Sequence, residues 1–135
     1  MADAERNSPY AWVLVDTSVW VEFIRTGNPQ LSELLENGQV LMHDMVIGEI
    51  ACGSAPSRKE RLEAMDRLPK VAMAEHAEIL RFIDRYQLFG WGIGYVDNHL
   101  LAACILQADC ALWSHDKRLR AAADRLGVAF SAVQH

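Results

Sequence analysis

The chain has 135 residues, is 51% apolar and carries a formal net charge of −5. That is enough for one domain with its own core and no covalent staples, and no apolar run reaches the roughly 18 residues that a membrane span needs. The three cysteines, Cys52, Cys104 and Cys110, lack C-x-x-C spacing and sit among Ala, Leu and Ile, so they read as small core hydrophobes and not as a disulfide framework. The start, MADAERNSPY, has acids where a signal peptide has bases. The expectation is a soluble protein of the reducing cytoplasm.

Residues 1–11, with the breaker Asn7-Ser8-Pro9, read as a loose lead-in to one domain over residues 12–131. Trp12 to Val15 is an apolar run without polar alternation, the pattern of a strand buried on both faces. Thr17 to Arg25 sets Val19, Trp20, Phe23 and Ile24 at helical spacing, with Gly27 as its cap. Asn28-Pro29 opens a second helix, striped by Leu31, Leu34 and Leu35, that ends at Gly38. Val40-Leu41-Met42 is a second strand. A helix follows over His43 to Gly53, apolar except for Asp44 and Glu49.

Ser57-Arg58-Lys59-Glu60 has the capping-box pattern and should open a helix running to about Leu68. Val71-Ala72-Met73 is a weak strand. An amphipathic helix from Glu75 to Leu88 carries Ala77, Leu80, Ile83 and Leu88 on one side. Gly90-Trp91-Gly92-Ile93-Gly94 is a loop, and Asp97 then opens a helix whose Leu100, Leu101, Ala103, Cys104 and Leu106 predict burial. Ala111-Leu112-Trp113 is a strand ending in Ser114-His115-Asp116. Lys117 to Leu126 is a helix closed by Gly127, and Val128-Ala129-Phe130 is a last strand. Strands alternating with helices over short connections predict an α/β domain, with a central, mostly parallel sheet of 4–5 short strands flanked by helices.

Functional residues in such sheets gather at the carboxyl ends of the strands. Asp16 and Asp116 stand at such ends, Asp97 at a helix start and Glu49 inside a helix that follows a strand, so the four acids can converge on one cleft. Taken singly, Asp97 and Asp116 read equally well as helix caps. Asp16 is more telling, because Asp16-Thr17-Ser18 offers a carboxylate and two hydroxyls at one turn. Four clustered carboxylates repel one another, and hard divalent cations such as Mg2+ or Mn2+ relieve that repulsion through oxygen ligands. The acidic balance at first argues against nucleic acid. Of the −5, however, four charges belong to these acids, leaving −1, and nine of the 13 basic residues fall in two stretches: Arg58, Lys59, Arg61, Arg67 and Lys70, then Lys117, Arg118, Arg120 and Arg125.

Four segments in this order resemble the acidic motifs of PIN-domain ribonucleases of the VapC toxin type. Val13 to Val19 is similar to the first-strand motif and Val46 to Gly53 to the glutamate helix with its trailing glycine. Tyr95 to Ala103 and Leu112 to Leu119 are similar to the third and fourth motifs. The resemblance spans Trp12 to Phe130. It implies a metal-dependent endoribonuclease in which Asp16, Glu49, Asp97 and Asp116 are catalytic and hold Mg2+ or Mn2+, with Thr17, Ser18 and Ser114 beside them. It further implies an RNA substrate, tRNA or another structured RNA, and a homodimer. A VapB-like antitoxin would lie between helices Thr17–Gly38 and Ser57–Leu68 and deliver a basic side chain to the carboxylates.

Other residues read as structure. His43 and His99 lack zinc spacing and are expected in a loop and on a helix surface, and His115 is expected to face solvent. Trp12, Trp20 and Trp113 read as packing, whereas Trp91, in the glycine loop, is the one placed to meet RNA or a partner. An aspartyl-phosphate hydrolase needs a second Asp where Ser18 stands, and a phosphotransfer receiver needs an early acidic pair that is missing. A catalytically silent PIN-fold interaction module is the remaining alternative, and the intact acidic quartet weighs against it.

Overall fold

A computed structural model describes residues 10–131; the Asn7-Ser8-Pro9 breaker lies outside the described residues. The elements run β1 (Trp12–Val15), α1 (Thr17–Thr26), α2 (Pro29–Glu36), β2 (Val40–Leu41), α3 (Asp44–Ala51), α4 (Arg58–Asp66), α5 (His76–Tyr86), α6 (Tyr95–Leu106), β3 (Cys110–Trp113) and α7 (Lys117–Arg125). All three strands are parallel, in the order β2-β1-β3, with Val13 opposite both Val40 and Ala111. Val13, Leu14 and Val15 are fully buried, as a central parallel strand covered on both faces requires.

Each edge of the sheet is extended by a single parallel bridge, Met42 with Lys70 and Leu112 with Ala129. The strands expected at residues 71–73 and 128–130 are therefore reduced to one contact each. At the first edge the Met42 amide donates to Pro69 O (2.8 Å) and the Val71 amide to Met42 O (3.0 Å). Beyond them Ala72 and Met73 turn out to solvent, leaving no side chains to anchor a longer strand.

Helix boundaries follow local chemistry. Gly27 closes α1 at φ 82°, and Asn28 caps α2 by accepting from the Leu31 amide at 3.0 Å, with Pro29 in the first turn. The capping box at Ser57 does not form. Ser57 is left-handed (φ 53°), outside the extended region a capping side chain needs, and makes no cap bond. The turn is held instead by Arg58, which donates to Ala51 O through Nε (3.0 Å) and Nη2 (2.7 Å), and by Arg61 Nε on Pro56 O (2.9 Å).

Several burial expectations are corrected. The inner face of α5 is Ile79 with Phe82, Ile83 and Tyr86, while Leu80 is 48% exposed. Leu106, at the end of α6, is 71% exposed, and Cys52 is exposed beside the α3 terminus. His43 and His99 lie inside the protein, their ring centroids 5.7 Å apart. The sequence of α6 has no consistently polar side, and residues 98–104 are all buried, so position 99 faces no solvent. His43 caps α3, its Nδ1 accepting from the Met45 amide at 3.0 Å. No helix among the described residues is long and apolar enough to cross a membrane.

Candidate functional site

β1 and β3 pair with Val15 opposite Trp113, and the Asp16 amide donates to Trp113 O at 2.8 Å. That register sets the residues just beyond the two strands, Asp16 and Ser114, side by side. Asp16 occupies the N-cap position of α1, but its carboxylate makes no cap bond. Its Oδ2 accepts instead from Ser18 Oγ (2.8 Å) and Ser114 Oγ (2.7 Å). Ser18 Oγ accepts in turn from the His115 amide and Ser114 Oγ from the Asp116 amide, each at 3.0 Å. A buried carboxylate is thus fixed by two hydroxyls that are themselves fixed by backbone.

The other three acids approach from separate elements. α3 buries Val46 and Ile50 and leaves Glu49 on its exposed side, where the carboxylate accepts from Thr17 Oγ1. Asp97 lies in the first turn of α6, and its Oδ2 accepts from the Gly94 amide at 2.9 Å. The loop that offers this amide turns through positive φ at Gly90 and Gly92, and Arg118 lies across Gly92, where a Cβ would stand 2.6 Å from Nη1. Asp116 does cap α7, with Oδ1 accepting from the Arg118 (2.9 Å) and Leu119 (3.1 Å) amides.

The electrostatics of Asp97 tie the set together. Burial raises its pKa; the Gly94 amide opposes the shift, and the charges of Asp16, Asp116 and Glu49 add to it. Asp16, Asp116 and Glu49 are therefore all near enough to Asp97 for their charges to act on it. Among the described residues no three His, Cys, Asp or Glu side chains are drawn closely enough around one point to hold an ion. Two causes are visible: Glu49 is held by Thr17 and Asp116 by the α7 amides. The donor chemistry nonetheless fits a hard divalent cation, since every side-chain donor is oxygen and the repulsion that raises the Asp97 pKa is what a cation would relieve.

Two contacts escaped the sequence reading. His115 Nε2 lies 3.0 Å from Glu22 Oε1, and the His115 and Asn28 hydrogen bonds hold the Glu22 carboxyl below its ordinary pKa. Nothing in the local sequence links positions 22 and 115, which meet only because β1 and β3 are neighbours. Trp91 is half-buried against the core, with the Arg125 guanidinium 5.1 Å from its ring centroid, so it is a packing residue and not the exposed contact expected.

Fold and site together define a small parallel α/β domain with four neighbouring carboxylates toward the carboxyl edge of its sheet. The chain belongs to the PIN-domain family, whose sequence pattern matches residues 13–125. It is 40% identical over 119 residues to Ribonuclease VapC32 of Mycobacterium tuberculosis, in both the CDC 1551 and H37Rv strains, covering 88% of this chain and 96% of the relative. Among solved structures, that of PAE2754 from Pyrobaculum aerophilum superposes with a TM-score of 0.56 at 13% identity. It covers 87% of this chain and 83% of the other, a likeness of fold.

Proposed function

We propose that the protein is a metal-dependent endoribonuclease toxin that hydrolyses phosphodiester bonds of RNA, with Asp16, Glu49, Asp97 and Asp116 as its catalytic and metal-holding acids. The observation that carries this reading is the convergence of three carboxylates on the half-buried Asp97. The 40% identity to proteins named ribonucleases supports it. Mg2+ or Mn2+ held by these acids would supply charge neutralisation of the scissile phosphate and a lowered pKa for the attacking water. Asp16 presents a fixed oxygen because Ser18 and Ser114 leave it little freedom, and Asp97 is held through Gly94. Thr17 orients Glu49 across the cleft. In-line displacement leaves a 5′-phosphate and a 3′-hydroxyl.

The same reading supplies a homodimer and a VapB-like antitoxin. An apolar groove of about 170 Å3 between α1, α2 and α4, lined by Trp20, Phe23, Ile24, Leu35, Met65 and Leu68, supports docking of an apolar antitoxin segment between these helices. Ile24 also lines a second recess of about 380 Å3 that reaches Glu49, so a segment docked in the groove would lie near one of the four acids.

The test is incubation of antitoxin-free protein with tRNA and other structured RNA in Mg2+, Mn2+ or EDTA, beside Asp16→Asn and Asp97→Asn. Discrete metal-dependent fragments absent from both variants support the nuclease. Intact RNA with a folded, metal-binding protein favours a silent interaction module.

A further inference from the structure

The two basic stretches separate once their side chains are placed. In the first, Arg58 and Arg61 are spent on backbone carbonyls, and Lys70 pairs with Asp44 (3.0 Å) and Asp66. In the second, Arg118 packs over Gly92, while Arg125 donates to Tyr86 O (2.7 Å) and covers Trp91. In the first stretch Lys59 and Arg67 are likewise exposed and unpaired among the described residues; in the second Lys117 and Arg120 remain, exposed and with no side-chain hydrogen bond or ion pair among the described residues.

These two cations share a groove. It has a volume of about 690 Å3 and is walled on one side by Lys117, Arg120 and Asp124 of α7 and on the other by Phe130. Spacing of three along a helix puts Lys117 and Arg120 on one face, roughly 4.5 Å apart along the axis, with Asp124 about 6 Å further on. The positive end therefore opens at Ser114, which also lines the groove and donates to Asp16, and the negative end points away from the cleft. Phe130 is half-buried, its ring tilted against Trp113 at 5.0 Å between centroids, and presents an aromatic surface to the groove.

We infer that this groove is the subsite for the single-stranded RNA flanking the scissile phosphate, with phosphates on Lys117 and Arg120 and a base against Phe130. The inference rests on the ribonuclease reading for the identity of the polymer. Lys117 and Arg120 give phosphates their place beside Ser114 and Asp124 repels them at the far end, while a cation at the acids would offset the charge of Asp16 and Asp116 at the near end. A base can stack on an aromatic face without sequence preference.

The test is fluorescence anisotropy of a short labelled single-stranded RNA across a potassium chloride series, with Asp97→Asn as the parent protein so that binding is read without cleavage. Adding Lys117→Ala and Arg120→Ala should weaken binding about tenfold and flatten the log Kd against log salt slope by about 1.4, since each single-strand phosphate contact contributes about 0.7. Phe130→Leu should lose affinity several-fold with the slope unchanged. The pair Lys59→Ala and Arg67→Ala, exposed cations of the other stretch, should match the parent. No binding by the parent, an unchanged slope in the α7 pair, or an equal fall in the α4 pair overturns the inference. Cleavage is scored separately with the Asp97 acid intact. Cleavage whose KM ignores Lys117 and Arg120 removes the groove and keeps the nuclease; salt-sensitive binding through α7 without metal-dependent cleavage keeps the groove and removes the nuclease.

Discussion

Acidification should destabilise the protein through His43 before the carboxylates dominate, and His43→Asn should remove that component. The ring is buried and accepts the Met45 amide through Nδ1, so a proton there both places charge in the interior and breaks the α3 cap. Burial, then the neighbouring His99, lowers its pKa from 6.5 to about 4, against a smaller opposing effect of Asp44. The unfolded chain therefore takes up the proton first as pH falls. This contribution to stability is whole above pH 6.5, is lost between 6.5 and about 4, and changes no further below. Inside that window each pH unit costs about 1.4 kcal/mol, which gives a ceiling of about 2.5 kcal/mol at about pH 4.5, reduced by whatever water screens the ring. Asn keeps an acceptor at the cap and does not titrate. Urea unfolding of both proteins from about pH 7.5 to about pH 4.5 reads the difference, with His99 present in each. The variant should gain on the wild type by up to about 2.5 kcal/mol on acidification; a difference that stays constant with pH would refute the reasoning.

Asp116→Ala should cost about 1 kcal/mol in urea unfolding, because the Arg118 and Leu119 amides lose their cap, while Asp116→Asn keeps stability within a few tenths; both should lose cleavage if the charge matters to the ion. Gly92→Ala should cost about 1–2 kcal/mol, since φ is +76° and the new Cβ meets Arg118 Nη1 at 2.6 Å; a urea midpoint equal to wild type refutes the close approach. Ser114→Ala deletes one of two hydroxyl donors to Asp16, so the Mn2+ concentration for half-maximal cleavage should rise several-fold, roughly the effect of about 1 kcal/mol, with the maximal rate largely kept.

Most of the architecture was legible because parallel strands and their helices announce themselves in apolar patterning. Val13 to Val15 is an uninterrupted apolar run that becomes a fully buried strand, and Asn28-Pro29 is a helix start that forms as written. The failures share a cause. Ser57 carries the capping-box letters, but bonds from Arg58 to the end of α3 and from Arg61 to Pro56 hold the turn and the backbone goes left-handed. His99 looked like surface because a histidine is polar, yet α6 is packed all round. In each case a contact between elements decided what a local pattern could not. The four acids were legible as candidates, three at the ends of elements and Glu49 inside a helix, whereas the Glu22–His115 pair was not, since it depends on which strands are neighbours.

The four acids are not equivalent, and the difference follows from how deeply each one is buried. Asp16 is buried and fixed by two hydroxyls, and Asp97 is half-buried and fixed by one amide. Glu49 and Asp116 are exposed and committed to Thr17 and to the α7 amides. Each of the four accepts its hydrogen bonds through one oxygen, so burial is what separates them: an ion arriving here would meet two acids held by the interior and two on the surface. Asp97 is also where like charge costs most, because burial weakens solvent screening between it and its three neighbours. Substitution at Asp16 or Asp97 should accordingly damage ion binding more than substitution at Glu49 or Asp116, an ordering that calorimetric titration of the four single Asn or Gln variants with Mn2+ would read directly. Equal losses at all four positions would mean that the ion redraws the site completely and that the more buried pair has no special part in it.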